Sequence, residues 1–154
     1  MKLWSEGTSK SAGRAVRAKV LEMTEKINRQ ALSRGTRAVN ALRTAELNVL
    51  KGQRSGKRYR KYPYKTRYTA SAPGEAPARR TGNLRMHWNG QVKTGRAAKG
   101  GVQVIAELES QEKYAAILEK GRSNMAPRPF VEKIREEAAP EIEKIYSEPY
   151  TSRR

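Results

Sequence analysis

At 154 residues, 36% hydrophobic and with a single Phe, the chain has material for one domain with a small core. Thirty-three Lys and Arg against fifteen acidic residues, all Glu, set a net charge of +18, and the absence of Cys rules out disulfides and thiolate metal sites. With one His and no Asp, most catalytic constellations are missing, so no enzyme, no metal and no cofactor is expected.

Residues 1–13 are small and polar apart from Leu3 and Trp4 and predict a flexible N-terminus. Over 14–51, Val16, Val20, Met23, Ile27, Ala31, Ala38, Leu42, Ala45 and Val49 recur mostly at three- or four-residue steps, which predicts a long helix with Gly52 just past its end. Such a helix is about 55 Å long at 1.5 Å per residue. A domain of this size cannot cover that length, so part of it packs on another chain or stands in solvent. Gly35 is the expected point of a kink or break, because an interior Gly is roughly 1 kcal/mol worse than Ala. The apolar stripe reads as an ordinary core face before it reads as a coiled coil.

Residues 51–80 carry ten Lys or Arg against Glu75 alone. With almost no aliphatic residue, the stretch from 52 to 80 cannot offset its ordering entropy and is expected as an extended basic arm. Its interleaved Arg54, Lys57, Arg58, Tyr59, Arg60, Lys61, Tyr62, Tyr64, Lys65, Arg67 and Tyr68 are candidates for facing DNA or a neighbouring subunit. Nucleic acid accepts Lys and Arg on phosphates and Tyr on exposed bases, and a protein interface accepts Tyr and Arg as anchors. A solvated loop is the bland alternative, though four tyrosines are of no use to it.

Residues 81–146 predict a sheet-and-helix core. Leu84, Met86 and Trp88 alternate with Arg85 and His87 as in a strand, Asn89-Gly90 signals a turn, and Gln91–Thr94 continues the strand after a bulge. Gly95–Gly101 reads as a flexible basic connection and Val102–Leu108 as a strand antiparallel to the first. Gln111–Lys120 is a short helix stopped by Gly121. A rigid Pro-containing link then leads to a last helix, with Pro129 as its first residue, Phe130, Ile134, Ala138, Ile142 and Ile145 on one face, and Pro140 kinking or ending it. Residues 147–154 read as a frayed tail. The whole predicts a single α+β domain: a long N-terminal helix, an extended basic arm, a small antiparallel sheet packed by helices, and a C-terminal helix.

His87 falls on the exposed side of its strand, and Glu136, Glu137, Glu141 and Glu143 read as helix-surface charges rather than a carboxylate pair. No phosphate-cradling GxxxxGK[ST] pattern is present. Residues 1–20 lack an apolar core and no run approaches the roughly 20 apolar residues of a membrane helix, so no signal peptide and no membrane contact are expected.

Between Ala72 and Phe130, four short motifs occur in order: Pro73, Gly74 and Pro77; Thr81, Gly82 and Leu84; Tyr114 with Glu119 and Gly121; and Pro127, Arg128, Pro129 and Phe130. Their order resembles the tail-completion or neck proteins of long-tailed bacteriophages, the head-tail joining family with which the minor tail protein Z of phage lambda is grouped. The resemblance implies a virion protein, assembled in the host cytoplasm, that forms a homo-oligomeric ring, a hexamer in the family. Such a ring sits between the tail tube or its terminator and the head-closure or connector protein, with double-stranded DNA passing through. The basic, Tyr-rich stretch 56–68 departs from the family pattern. Composition alone also suits a nucleic-acid-binding module, ribosome- or DNA-associated.

Overall fold

The computed structural model describes residues 6–96 and 101–150. In chain order the elements are α1 (Glu6–Lys51), β1 (Arg58–Arg60), β2 (Arg67–Thr69), α2 (Asn83–Met86), β3 (Trp88–Arg96), β4 (Val102–Ser110), α3 (Ala115–Lys120) and α4 (Val131–Ser147). The chain is α+β: a long N-terminal helix, two small antiparallel sheets and a C-terminal helix.

The helix α1 is continuous over 46 residues, about 69 Å by its rise per residue. The break expected at Gly35 does not occur. There β3 and β4 lie against the helix so closely that a Cβ would come within 2.7 Å of Val104 Cγ1 and 2.9 Å of Val92 Cγ1. The missing side chain admits the sheet, and packing outweighs the propensity penalty. The expected flexible stretch 1–13 falls partly outside the described residues, 1–5, and is helical from Glu6 onward.

From position 34 onward the helix is covered by α4 and by the β3–β4 hairpin. The core joins Ala45, Leu50, Ala76, Leu84, Ala115, Phe130, Ile134 and Ala138, with Leu42, Val49, Trp88, Leu118 and Ile142 packed around them. Phe130, 1% exposed, meets the Trp88 ring edge-on at 6.1 Å. Before position 34 cover thins out among the described residues: Ala31 on the same face is half-buried, while Val16, Val20, Met23 and Ile27 are 64, 55, 46 and 44% exposed.

Several local expectations are corrected. Leu84 and Met86 lie in the helical turn α2, not in a strand: Gly82 enters it at φ 99°, and the amides of Arg85 and Met86 donate to the Gly82 carbonyl. Leu84 is thus buried from this turn while Met86 points to solvent, and the expected strand begins only at Trp88, whose indole N–H donates to the Leu84 carbonyl. Asn89-Gly90 is no turn, since both residues pair within the ladder, opposite Glu109 and Leu108. Gly90 is needed there because a Cβ would sit 2.5 Å from Val39 Cγ1. Of the predicted connection, Gly95 belongs to β3 and residues 97–100 lie outside the described residues.

Pro129 does not begin the last helix. The Glu119 carboxylate accepts from the amides of Phe130 and Val131 at 2.9 and 3.2 Å, which makes Phe130 the cap and Val131 the first helical residue. Pro140 does not end α4, which runs on to Ser147 with Pro140 and Glu136, one turn before it, both on the exposed face. The tail expected to fray returns to α1 instead. Glu148 takes two bonds from the Arg37 guanidinium at 2.6 and 2.5 Å, and Arg34 donates to the Pro149 carbonyl with its guanidinium 3.8 Å above the Tyr150 ring. Residues 151–154 lie outside the described residues.

Candidate nucleic-acid interface

The stretch expected as an extended arm folds back on itself. Its strands β1 and β2 pair antiparallel, with Arg58 opposite Thr69, Tyr59 opposite Tyr68, and Arg60 opposite Arg67. Gly56 makes the closure possible: its amide donates to the Ala70 carbonyl at 3.0 Å, and a Cβ there would sit 2.6 Å from that oxygen. The turn is held by the Lys61 amide on the Thr66 carbonyl and contains a cis Tyr62–Pro63 bond. Tyr62 and Tyr64 stand at the tip, 83 and 63% exposed.

Because side chains alternate along a strand, the ribbon has two unlike faces. Tyr59 and Tyr68 occupy one, their rings 6.0 Å apart. Arg58, Arg60 and Arg67 share the other, where Arg60 and Arg67 are directly opposed. Like charges so placed repel and destabilise a hairpin in isolation. Among the described residues no ion pair involves a residue of 51–80; those seen, such as Arg37–Glu148, Arg43–Glu46 and Lys93–Glu107, join partners elsewhere. Lys57, Arg58, Arg60, Lys65 and Arg67 are all exposed, and Lys61 has only the Tyr64 ring, 5.8 Å from its Nζ.

The one carboxylate of this region is committed to the ribbon's base. Glu75 accepts from the Ser55 hydroxyl at 2.5 Å and from the amides of Ser55 and Ala72 at 3.1 and 2.8 Å. These bonds, the Ser55 hydroxyl first, hold its pKa down to about 2. Ala72-Pro73-Gly74-Glu75 is itself a turn: the Glu75 amide donates to the Ala72 carbonyl, Pro73 fixes the second position, and Gly74 supplies φ 78° at the third.

Arg54 does not face outward as expected. Its guanidinium turns back onto the end of α1 and donates to the carbonyls of Val49 at 2.8 Å, Gln53 at 2.9 Å and Pro77 at 3.2 Å. A cation on the last carbonyls of a helix is favourable there. Burial lowers the pKa of Arg54 more than the nearby Glu75 raises it.

The motif residues gather at this base. The Gly74 amide donates to the Pro127 carbonyl at 3.1 Å, Lys133 reaches the Gly74 carbonyl at 2.7 Å, and Arg128 donates to both the carbonyl and the hydroxyl of Ser71. Gly121, at φ 77°, lets the chain pass Met125 and Pro127, where a Cβ would meet the Met125 carbonyl oxygen at 2.7 Å. Tyr114 precedes α3 and, with Leu50, Leu84, Leu118, Tyr62 and Tyr64, lines an open cleft of about 670 Å³ between ribbon and body. Burial, then Glu112, raises the Tyr114 pKa.

Elsewhere His87 follows α2 and pairs with Glu112 at 2.5 Å while remaining exposed. Two buried charged residues escaped sequence reasoning. Glu46 is fully buried, takes Arg43 on Oε2 at 2.5 Å, leaves Oε1 unpartnered, and is pushed up to about 7 by burial against the pull of Arg43 and Arg85. Arg34 is 5% exposed; its signal was in the sequence, three residues after Ala31 and four before Ala38 on the apolar stripe. No group of three or more His, Cys, Asp or Glu among the described residues is placed to hold a metal, and no helix among them is long and apolar enough to cross a membrane.

Comparison with family models, with curated proteins and with solved structures finds no match to this chain.

Proposed function

We propose that the protein is a structural virion subunit of a tailed bacteriophage, a tail-completion or neck protein whose copies form a ring joining the tail tube to the head connector, with DNA passing through. The observation that carries this reading is the segregation of charge. The ribbon opposes Arg60 to Arg67 with no carboxylate pairing any arm cation, while every ion pair of the described residues lies elsewhere. A surface built with uncompensated cations is complementary to a polyanion. A two-stranded ribbon also has the width to enter a duplex major groove. The motif residues support the family reading physically, since they clamp the ribbon's base to the α3–α4 elbow and so fix the direction in which it points. The virion as location, the six-copy ring, and the tube and connector partners come from the resemblance alone.

Light scattering on the purified chain, with negative-stain images of it mixed with tail tubes, tests this. Rings and stoichiometric decoration of the tube end are expected; a chain that stays single and never joins tails overturns it. A second reading, a nucleic-acid-binding module outside any particle, is favoured by the exposure of Tyr62 and Tyr64 beside unpaired cations. It predicts tight binding that falls steeply with salt in a chain that decorates no tube.

A further inference from the structure

We propose that the uncovered half of α1 is a docking helix whose seat is the groove between β4, α3 and α4 of a second copy. This rests on the ring reading above and names the contact that would build it. Val16, Val20, Met23 and Ile27 follow one another at steps of four, three and four, and continue the line of Ala38, Leu42, Ala45 and Val49. Downstream of position 34 that line meets the protein's own sheet and α4 through small residues, Gly35, Ala38 and Ala45, so backbones approach closely. Upstream it carries bulky side chains, 44 to 64% exposed among the described residues. Knobs of this size suit a groove rather than another close backbone contact.

Such a groove exists. It measures about 590 Å³, with half-buried Leu42, Trp88 and Leu108 among its walls and Val131, 40% exposed, at its lip. A chain cannot fill its own groove, because α1 is unbroken and Ile27 lies roughly 22 Å along the axis from Leu42. Charge disfavours pairing between two such helices and leaves the groove, with Glu109 at its wall, as the better seat. Residues 14–30 carry five Lys or Arg against Glu22 and Glu25, so two of them side by side repel. On the groove wall Glu107 is paired with Lys93 at 2.6 Å and Glu119 is committed to the first amides of α4, so the carboxylate left to meet a cationic helix is the exposed Glu109, near Lys120 and Arg135. Each copy then donates one helix and offers one groove, a head-to-tail contact that repeats around an axis and closes into a ring.

The test uses two full-length variants altered only at exposed positions: V20E with M23E on the helix, and V131R with E109R at the groove. Light scattering is expected to show the unaltered chain as an oligomer and each variant alone as a monomer. The two variants mixed are expected to form a two-chain complex and nothing larger, because one retains its groove and the other its helix. If the V131R variant melts early, E109R alone reports on the same seat. Assembly of the helix variant as well as the unaltered chain overturns the proposal, as does a mixture that stays monomeric. In either case an unaltered chain that still decorates tails leaves the ring reading standing, whereas an unaltered chain that is single and joins no tail removes both.

Discussion

The base and the tip of the ribbon use the same residue types for opposite purposes. At the base, Arg54, Arg128 and Glu75 spend their hydrogen bonds inward on carbonyls, amides and hydroxyls, so their charge is absorbed by the fold. Toward the tip, Arg58, Arg60, Lys65 and Arg67 engage no carboxylate and face water. In and around the ribbon, therefore, a basic residue is absorbed where a carbonyl lies within reach and exposed where none does. Composition cannot separate the two groups.

Exchanging Arg58, Arg60, Lys65 and Arg67 together for Ala tests the tip most severely. If each meets a phosphate, the salt dependence of DNA affinity loses roughly 3 to 4 of its logarithmic slope, and affinity near physiological salt falls on the order of a thousandfold. The thermal midpoint holds or rises, since the opposed Arg60 and Arg67 no longer repel. Unchanged affinity in a well-folded variant would end the polyanion reading. Arg54→Ala tests the base: it leaves carbonyls at the end of α1 without a donor and lowers stability by about 1–3 kcal/mol, read by urea melts. Its effect on DNA affinity is expected to be severalfold at most, and a loss as deep as that of the four-residue variant would erase the distinction between base and tip.

Glu46, like the base residues, is charge absorbed by the fold, but incompletely. Its folded pKa, about 7, lies above its unfolded value near 4.5, so the native state holds a proton there that the unfolded chain has released. Stability contributed by this group is full below pH 4.5 and declines as pH rises to about 7, by roughly 1–3 kcal/mol. Glu46→Gln is expected to flatten that decline in melts between pH 4.5 and 8; a slope of the same size in both proteins would assign it elsewhere. Glu75 runs in the opposite sense, its contribution present above pH 4.5 and lost as pH falls toward 2.

The smallest effect sharpens the tip itself. Tyr62→Ala with Tyr64→Ala removes rings that only an unstacked base can use, so single-stranded binding drops about tenfold while duplex binding holds. Equal losses on both substrates would place these rings against the duplex backbone instead.

Where the sequence was read correctly, one physical rule acted alone. The stripe on α1, the β4 strand and the stop at Gly121, with its positive φ, were legible because periodicity and glycine freedom are local. Between Gly82 and Gly90 local signals mislead: alternation holds only from Trp88, because Gly82 at positive φ starts a helical turn first, and Asn89-Gly90 stays in the ladder because Gly90 lets β3 approach Val39. The inward turn of Arg54 is not legible in the sequence, because its acceptors, the carbonyls of Val49 and Pro77, become available only once α1 ends beside the returning chain.

The sequence by itself determined the long helix, the α+β class and the concentration of positive charge in one stretch, since these follow from residue order at short range. The tertiary structure decided which charges are absorbed and which are exposed, that Gly35 and Gly90 admit neighbours rather than break their elements, and which half of the apolar stripe is covered. That the stripe outruns its own domain was already implied by helix length; which half is covered, like the other outcomes, depends on what comes within hydrogen-bonding or van der Waals distance, and contacts between residues far apart in the chain exist only after it has folded.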